Sequence, residues 1–311
     1  MDEIDFTISL LLMANSRTPY SKFAEMFNMS VNSIHKRVKS MVNLGVIKNF
    51  NARLGLITFS NYTGILFFGV SKTKDPKSTI EKIGAHDCVH NVTQASSNLF
   101  YIHASLDKIT TLESLVSFIR QVGQINELTV GILSSTSKSS IEDLEDISLS
   151  KLDYLIIHAL KENSRKSIVD ISNEVGASTK TVRRHLNRLI EKKLIDLSID
   201  WYPDKTAEFL SFVQVYLEPS EIIDKINLVN DLRKQFGSKL IFSWIFGNLP
   251  NLIIICFWTR IMKELQEIET NLMSKGFESV KVTILLEGKN FPSWVDQYLK
   301  DKINEIKTKS S

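Results

Sequence analysis

Basic residues crowd two short stretches of this sequence that have helical spacing. Residues 178–193 hold six Lys or Arg against one acid, Glu191, a local charge of +5, whereas the whole 311-residue chain carries +3. Residues 31–44 hold Lys36, Arg37 and Lys39 and no acid. Because basic, amide and hydroxyl side chains hold DNA phosphates and read base edges, this local concentration of charge points to a nucleic-acid partner.

The apolar positions of the second stretch place its charges on one face of a helix. Val182, Leu186 and Leu189 recur at three-to-four spacing and should face inward. Arginine can bind guanine and asparagine can bind adenine through two hydrogen bonds, but each can also hold a phosphate, so individual roles stay open. The predicted DNA-contacting residues are Ser33, His35, Lys36, Arg37 and Lys39 in the first stretch and Ser178, Thr179, Lys180, Arg183, Arg184, Asn187 and Arg188 in the second.

The two stretches belong to an internal repeat. A shift of 148 positions aligns residues 4–47 with 152–195 without a gap, and the apolar positions coincide throughout. The eight identities include the consecutive Asn15-Ser16-Arg17 and Asn163-Ser164-Arg165. The same pattern in both copies predicts the same fold twice.

Each copy has the spacing of a helix-turn-helix. Three short helices are predicted at 4–13, 20–27 and 31–44. The corner between the second and third helices falls on Asn28 and Gly176, residue types that tolerate positive φ, and Ser30 and Ser178 can cap the third helix. We expect the more basic second copy to supply more of the salt-dependent affinity.

A region that reads strand, helix, strand, strand, helix, strand follows each trihelical segment. The predicted elements are 62–70, 80–86, 89–95, 99–105, 109–122 and 128–133, then 209–217, 222–236, 240–246, 252–258, 262–275 and 280–286. Residues 248–251 form a turn that predicts a hairpin.

The fold class is therefore α+β, with two winged helix-turn-helix heads, each followed by a βαββαβ ferredoxin-like domain. The predicted division is 1–55 (head 1), 60–134 (regulatory domain 1), 135–150 (linker), 151–202 (head 2), 207–290 (regulatory domain 2) and 291–311 (helical tail).

Other classes of site find no support in the residues. The two cysteines, Cys88 and Cys256, are far apart without metal-ligand spacing, and no phosphate loop or catalytic triad spacing stands out. We expect no metal, no cofactor and no catalytic residue. The longest apolar stretch, 252–258, is too short to cross a bilayer, so a cytoplasmic protein is expected.

These residues together resemble the Lrp/AsnC family of transcriptional regulators. The resemblance lies in Ile4-Asp5 and Leu152-Asp153, in the two Asn-Ser-Arg runs, and in Leu44-Gly45-Val46-Ile47 entering a wing. It implies regulatory domains whose sheets pack together and space the heads by roughly 34 Å, one turn of DNA. The tandem form resembles an archaeal variant, in which one chain is a covalent pseudo-dimer.

The resemblance also bears on partners. Double-stranded DNA is the expected partner, and because the two third helices differ, one chain should prefer unlike half-sites. A palindromic operator would require two chains, so a homodimer or higher oligomer through the α+β domains is expected. Family members often bind an amino acid near a Gly-x-x-Asp turn, but residues 95–98 and 247–251 lack the aspartate, which leaves a small-molecule effector open.

Two other functions are compatible with these residues. Sirohaem decarboxylases share the fold, and His90-Asn91 followed by Asn98-Leu99-Phe100 is similar to one of their segments. Such an enzyme needs a basic cavity for a carboxylate-rich tetrapyrrole, whereas regulatory domain 1 has three histidines but one arginine, Arg120, and regulatory domain 2 has no histidine. In the other alternative, an oligomerising scaffold, the heads bind protein and show no salt-sensitive affinity for duplex.

Overall fold

The computed structural model describes residues 1–59, 62–134, 148–219 and 223–308. These pack as two units. The head unit comprises the described residues of Met1–Ser60, Ser139–Lys205 and Pro292–Ser311, and the sheet unit comprises those of Asn61–Lys138 and Thr206–Phe291. Both heads therefore belong to one unit and both α+β domains to the other. Most of the predicted linker, residues 135–147, lies outside the described residues.

The elements follow the predicted order in both copies. The first copy has α1 (Glu3–Ala14), α2 (Tyr20–Met26), α3 (Val31–Asn43), β1 (Ile47–Leu54), β2 (Thr63–Val70), α4 (Pro76–Gly84), β3 (Val89–Ala95), β4 (Leu99–Leu106), α5 (Leu112–Gly123) and β5 (Thr129–Ile132). The second has α6 (Lys151–Leu160), α7 (Ile168–Val175), α8 (Thr179–Glu191), β6 (Ile195–Trp201), β7 (Phe209–Tyr216), α9 (Lys225–Phe236), β8 (Leu240–Ile245), β9 (Leu252–Thr259), α10 (Met262–Met273), β10 (Ser279–Asn290) and the tail helix α11 (Trp294–Thr308).

Local chemistry explains the trihelical heads. Ser30 and Ser178 each accept a hydrogen bond from the backbone N–H three residues ahead, at 3.1 Å, which satisfies a free donor at the start of α3 and α8. The corner residues Asn28 and Gly176 have φ of 50° and 66°, so the predicted left-handed corner is confirmed in both copies.

The two heads have matched hydrophobic cores. The core side chains, all no more than 3% exposed, are Ile8, Leu12, Phe23, Ile34, Val38 and Met41 in head 1 and, 148 positions later, Ile156, Leu160, Ile171, Val182, Leu186 and Leu189 in head 2. Burying each such side chain stabilises a head by about 1.5–3 kcal/mol. Because one face of α3 and of α8 packs on its core, the opposite face of each helix is exposed to solvent.

The wings join the two heads. Strands β1 and β6 pair antiparallel into a two-stranded ribbon, here called the wing ribbon. Each strand packs on the other copy's head, because Ile199 and Trp201 complete the core of head 1 while Ala52 and Leu54 complete that of head 2. The tail helix α11 packs on head 2 through Val295, Leu299 and Ile303, and its Trp294 and Tyr298 rings also pack on Phe59 of the first copy.

The sheet unit holds one eight-stranded sheet in the order β5-β2-β4-β3-β10-β7-β9-β8. Its central seam is the antiparallel pairing of β3 with β10, which joins the two copies. The apolar side chains of one face pack under α4 and α5 in the first domain and under α9 and α10 in the second. The opposite faces of the two domains pack on each other through Tyr101–Phe212 and His103–Trp244, with ring centroids 4.7 and 5.4 Å apart. The predicted sheet-to-sheet packing is thus observed.

The two outer strands also meet. Leu133, just after β5, bridges to Phe246, just after β8. The amide of Asn248 donates to Val130 O at 2.8 Å and its oxygen accepts from Ile132 N at 2.7 Å. The predicted turn at 248–251 therefore connects β8 to β9 and also fastens the second domain to the first.

Some boundaries differ from the predictions. β10 continues to Asn290, beyond the predicted end at 286, because residues 287–290 pair with β3 of the other copy, a partner that periodicity does not show. α4 begins at Pro76, before the predicted start at 80, because Asp75 accepts from Ser78 N and caps it. Within the described residues, no helix has the length and apolar character needed to span a membrane.

Candidate nucleic-acid interface

The exposed faces of α3 and α8 present three matched pairs of polar side chains. These pairs, 148 positions apart, are His35 and Arg183, Lys36 and Arg184, and Lys39 and Asn187, and all six side chains are exposed. Thr179 and Lys180 are exposed on the first turn of α8. A helix that turns such a face to solvent has the form that enters a major groove.

The charges on this face are not neutralised by the chain itself. Among the described residues, no carboxylate lies within 4 Å of the charged groups of Lys36, Lys39, Lys180, Arg183 or Arg184. Of these five groups, α8 carries three and α3 two, in the order of affinity that the sequence predicts. These groups are available to phosphates or base edges.

Other predicted contacts have partners inside their own head. Arg37 Nη1 lies 2.8 Å from Asp2 and 2.7 Å from Asp5, and Arg188 pairs with Asp153. The hydroxyl of Ser33 is 2.9 Å from that of Ser30, and Ser178 caps α8. These four residues still lie on or beside the exposed faces, but their polar groups already hold the heads together, and their role toward DNA stays a prediction.

Asp153 is an anchor that the sequence reasoning missed. Its carboxylate is fully buried and accepts from Ser150 N (2.7 Å), from Ser150 Oγ (2.6 Å) and from Arg188, and it lies 2.8 Å from His185 Nδ1. Burial would raise the pKa of Asp153, but the hydrogen bonds from Ser150 and His185 and the charge of Arg188 outweigh it and lower that pKa. The available signal was an aspartate at the same position of each first helix, 32 residues before Arg37 in head 1 and 32 residues before His185 in head 2.

The Asn-Ser-Arg runs form the contact between heads. Ser16 and Ser164 hydroxyls lie 2.6 Å apart. Arg17 donates to the carbonyls of Ser164 (2.6 Å) and Lys166 (2.8 Å), and Arg165 donates reciprocally to those of Ser16 (2.5 Å) and Thr18 (3.2 Å). Such reciprocity is the signature of an approximate two-fold axis.

The wing ribbon obeys the same axis. Phe50 pairs with Ile199 and Asn51 with Ser198, and a shift by 148 converts each pair into the other. We expected the α+β domains to set the separation of the heads, but the heads contact each other directly through the ribbon and the Asn-Ser-Arg runs. The relation between α3 and α8 is therefore fixed within the head unit itself.

The turn at which Lrp/AsnC proteins often bind an effector makes hydrogen bonds within the chain in regulatory domain 1. Asn98, where the resemblance would place aspartate, donates through its amide to the carbonyls of Ser71 (2.8 Å) and Thr73 (3.1 Å). Ser97 and Asn98 both have positive φ, 59° and 56°. The side chain that would face an effector thus serves the fold.

Comparison with known proteins bears on both heads. Residues 1–48 and 149–196 match the family model described as winged helix-turn-helix DNA-binding. An uncharacterized HTH-type transcriptional regulator of Pyrococcus furiosus is 31% identical over 97 residues, 30% of this chain and 65% of that protein. The regulatory protein AsnC of Haemophilus influenzae is 26% identical over 137 residues, 38% of this chain and 91% of that protein.

The chain is therefore similar to regulators of the Lrp/AsnC type. The match to the Pyrococcus relative spans slightly less than two thirds of that protein's length. The crystal structure of the siroheme decarboxylase NirDL has the same fold as this chain, with a TM-score of 0.58, coverage of 98% of this chain and 100% of that one, and 12% sequence identity. That likeness shows the architecture of two heads and two α+β domains in one chain, and the fold alone.

Proposed function

We propose that this chain is a sequence-specific regulator of transcription that binds double-stranded DNA with both heads of a single chain. The observation that carries the proposal is the pair of exposed, basic recognition helices held in one unit by reciprocal contacts. The proteins it is similar to include HTH-type transcriptional regulators, which agrees with this role. The proposed DNA contacts are the unpaired side chains of α3 and α8, with His35, Lys36 and Lys39 facing one half-site and Lys180, Arg183, Arg184 and Asn187 facing the other.

The two half-sites should differ. Arg183 and Arg184 can each bind guanine through two hydrogen bonds and Asn187 can do so with adenine, whereas Lys36 and Lys39 are point charges that discriminate less. A good bidentate contact contributes about 1–3 kcal/mol of discrimination against the wrong base. The half-site under α8 should therefore show the stricter sequence requirement.

A single chain supplies the pair of heads, so one chain is the proposed DNA-binding unit. In the sheet unit β3 and β10 pair across the seam and β5 is fastened to residues 246–248, so the strand edges at these places are already used. The homodimer or higher oligomer expected from the sequence would then form through the outer helices of the α+β domains. A cytoplasmic location accords with DNA as the partner.

The enzyme alternative has less support than the regulator. Burial against Trp244 lowers the pKa of His103 to about 4, so this histidine is neutral and packed rather than poised to transfer a proton near neutral pH. His103 also packs against His90, with ring centroids 4.7 Å apart. The fold shared with NirDL supports the architecture, and a shared fold does not by itself imply that this chain binds a tetrapyrrole.

Binding to duplex DNA across a salt series tests the proposal. If the five unpaired cations each neutralise one phosphate, the logarithm of the binding constant should fall with the logarithm of salt with a slope of about −4 to −5. Changing Arg183 and Arg184 together to Ala should flatten the slope by about 2, and the matched control, His35→Ala with Lys36→Ala, by about 1. Absent or salt-insensitive binding to genomic fragments would refute the regulator, and binding of an iron tetrapyrrole would then be measured.

A further inference from the structure

A row of three side chains runs from head 2 into the recognition helix of head 1. The guanidinium carbon of Arg165 lies over the Tyr20 ring, 4.2 Å from its centroid. The Tyr20 ring is in turn perpendicular to the imidazole of His35, at an interplanar angle of 87° and a centroid distance of 4.5 Å. His35 is one of the three exposed reading positions of α3.

The row has no counterpart in the other direction. Arg17 makes the same two kinds of carbonyl contact as Arg165, but the repeat places Ile168 where head 1 has Tyr20, and Arg183 where it has His35. The two heads share their reciprocal hydrogen bonds and differ in this stack. The stack of Arg165, Tyr20 and His35 is therefore not required for joining the heads. Its contact with His35, a proposed reading residue, suggests a different role.

We propose that Tyr20 is a positioning residue for His35, and that Arg165 holds Tyr20 in place from the other head. A neutral imidazole has one donor and one acceptor nitrogen, so the base it selects depends on how the ring is turned. An aromatic ring packed perpendicular to it, and fixed by a guanidinium above, restricts that rotation. The base preference of head 1 at one position is thus set in part by a residue of head 2. This inference rests on the proposed function.

The test measures base preference at every position of a two-half-site duplex, by competition between DNA variants, for the full-length chain. Tyr20→Ile supplies the residue of the second copy, and Tyr20→Phe keeps the ring. Tyr20→Ile should reduce discrimination by about three- to tenfold at the position that His35→Ala also affects, and nowhere in the half-site of head 2. Tyr20→Phe should behave as the parent protein.

Arg165→Met and Arg17→Met form the matched pair for the head-to-head contact. Each removes the hydrogen bonds to two carbonyls, but only Arg165→Met removes the cation over Tyr20. Arg165→Met should therefore weaken discrimination at the His35 position, and Arg17→Met should leave it unchanged. This pair keeps the test informative if Tyr20→Ile does not fold, which thermal unfolding followed by circular dichroism reveals.

The outcomes separate the two proposals. If the parent protein reads unlike half-sites and His35→Ala alters one position while Tyr20→Ile and Arg165→Met do not, the positioning role is overturned and the regulator stands. An unaltered profile in His35→Ala has the same meaning, because His35 is then no reader. Equal changes of base discrimination in both half-sites would also overturn the positioning role, because the stack would then only stabilise the fold. Only the absence of salt-sensitive DNA binding in the parent protein overturns the regulator as well.

Discussion

Replacing the buried carboxylate of Asp153 by an amide should destabilise the head unit more than the same change at Asp5. The repeat places these aspartates at matched positions, and each meets a basic side chain of its third helix. Asp153 is fully buried, whereas the side chain of Asp5 is 18% exposed and that of its partner Arg37 is 26% exposed. The two changes therefore compare a buried and a partly exposed aspartate at matched positions, although the repeat matches Arg37 with His185 and not with Arg188.

The magnitude follows from the donors that each aspartate satisfies. Asp153 accepts from Ser150 twice and from Arg188, and its Oδ1 lies 2.8 Å from His185 Nδ1. An amide has one acceptor oxygen, and its NH2 would face donors, so Asp153→Asn leaves buried donors of Ser150 unsatisfied and removes the counter-charge of Arg188, whose side chain is 39% exposed. Leaving a buried donor without its acceptor costs about 1–3 kcal/mol. Asp5→Asn acts on a partly exposed pair, for which about 0–1 kcal/mol is expected.

Denaturant unfolding with circular dichroism measures both changes, and hydrogen exchange in α6 and α8 locates the loss. The pH dependence of the free energy of unfolding gives a second measurement, and its direction follows from the lowered pKa of Asp153. Because the folded-state pKa of Asp153 is lowered, its contribution is present above the ordinary carboxyl pKa and is lost as pH falls through the folded-state value. The acid side of the profile should therefore flatten in Asp153→Asn. A cost below about 1 kcal/mol for Asp153→Asn, or equal costs at both positions, would refute the reasoning.

Three further predictions concern the wing, the sheet unit and its closure. Lys193 has φ of 54° where the matched Gly45 has 77°, so Lys193→Gly should raise the free energy of unfolding by about 0.5–1 kcal/mol, measured by thermal unfolding; no gain would show that the lysine bears no strain. The pKa of His103, lowered by burial to about 4, implies that the sheet unit loses up to about 3 kcal/mol as pH falls from 6.5 through 4, a loss that His103→Gln should abolish in a pH series of unfolding curves. A Cβ on Gly131 would lie 2.4 Å from the Phe246 ring, so Gly131→Ala should destabilise the contact between β5 and residues 246–248 by about 1–3 kcal/mol, whereas Gly247→Ala, which has room, should not.

The local parts of the fold could be predicted from the sequence because their causes are local. The caps at Ser30 and Ser178, the corners at Asn28 and Gly176, and the apolar stripe of α8 each depend on residues within one or two turns. The same holds for the basic face, since a helix with one buried stripe must expose the rest. These features predicted an interface on two helix faces that the structure shows to be exposed.

Contacts between the two copies could not be predicted in this way. The pairing of β1 with β6, the extension of β10 along β3 and the packing of α11 on head 2 join residues far apart in sequence. Periodicity reports that a face is buried but does not identify what covers it. Ion pairs have the same limitation, so Arg37 and Arg188 read as free cations in the sequence although each binds a carboxylate of the first helix in its head.

The distribution of identity between the copies shows what the fusion of two heads permits. A reciprocal contact needs the same residue on both sides of the axis, and Ser16 and Arg17 are indeed repeated as Ser164 and Arg165. The proposed reading positions carry no such requirement, because each is proposed to face a different half-site. In a dimer of identical chains any change at such a position would appear in both heads at once, whereas one covalent chain can hold His35 in one head and Arg183 in the other. The contacts between the heads are symmetric, whereas the faces proposed to contact DNA carry different residues in the two heads. This arrangement is expected for a single chain that binds an asymmetric site.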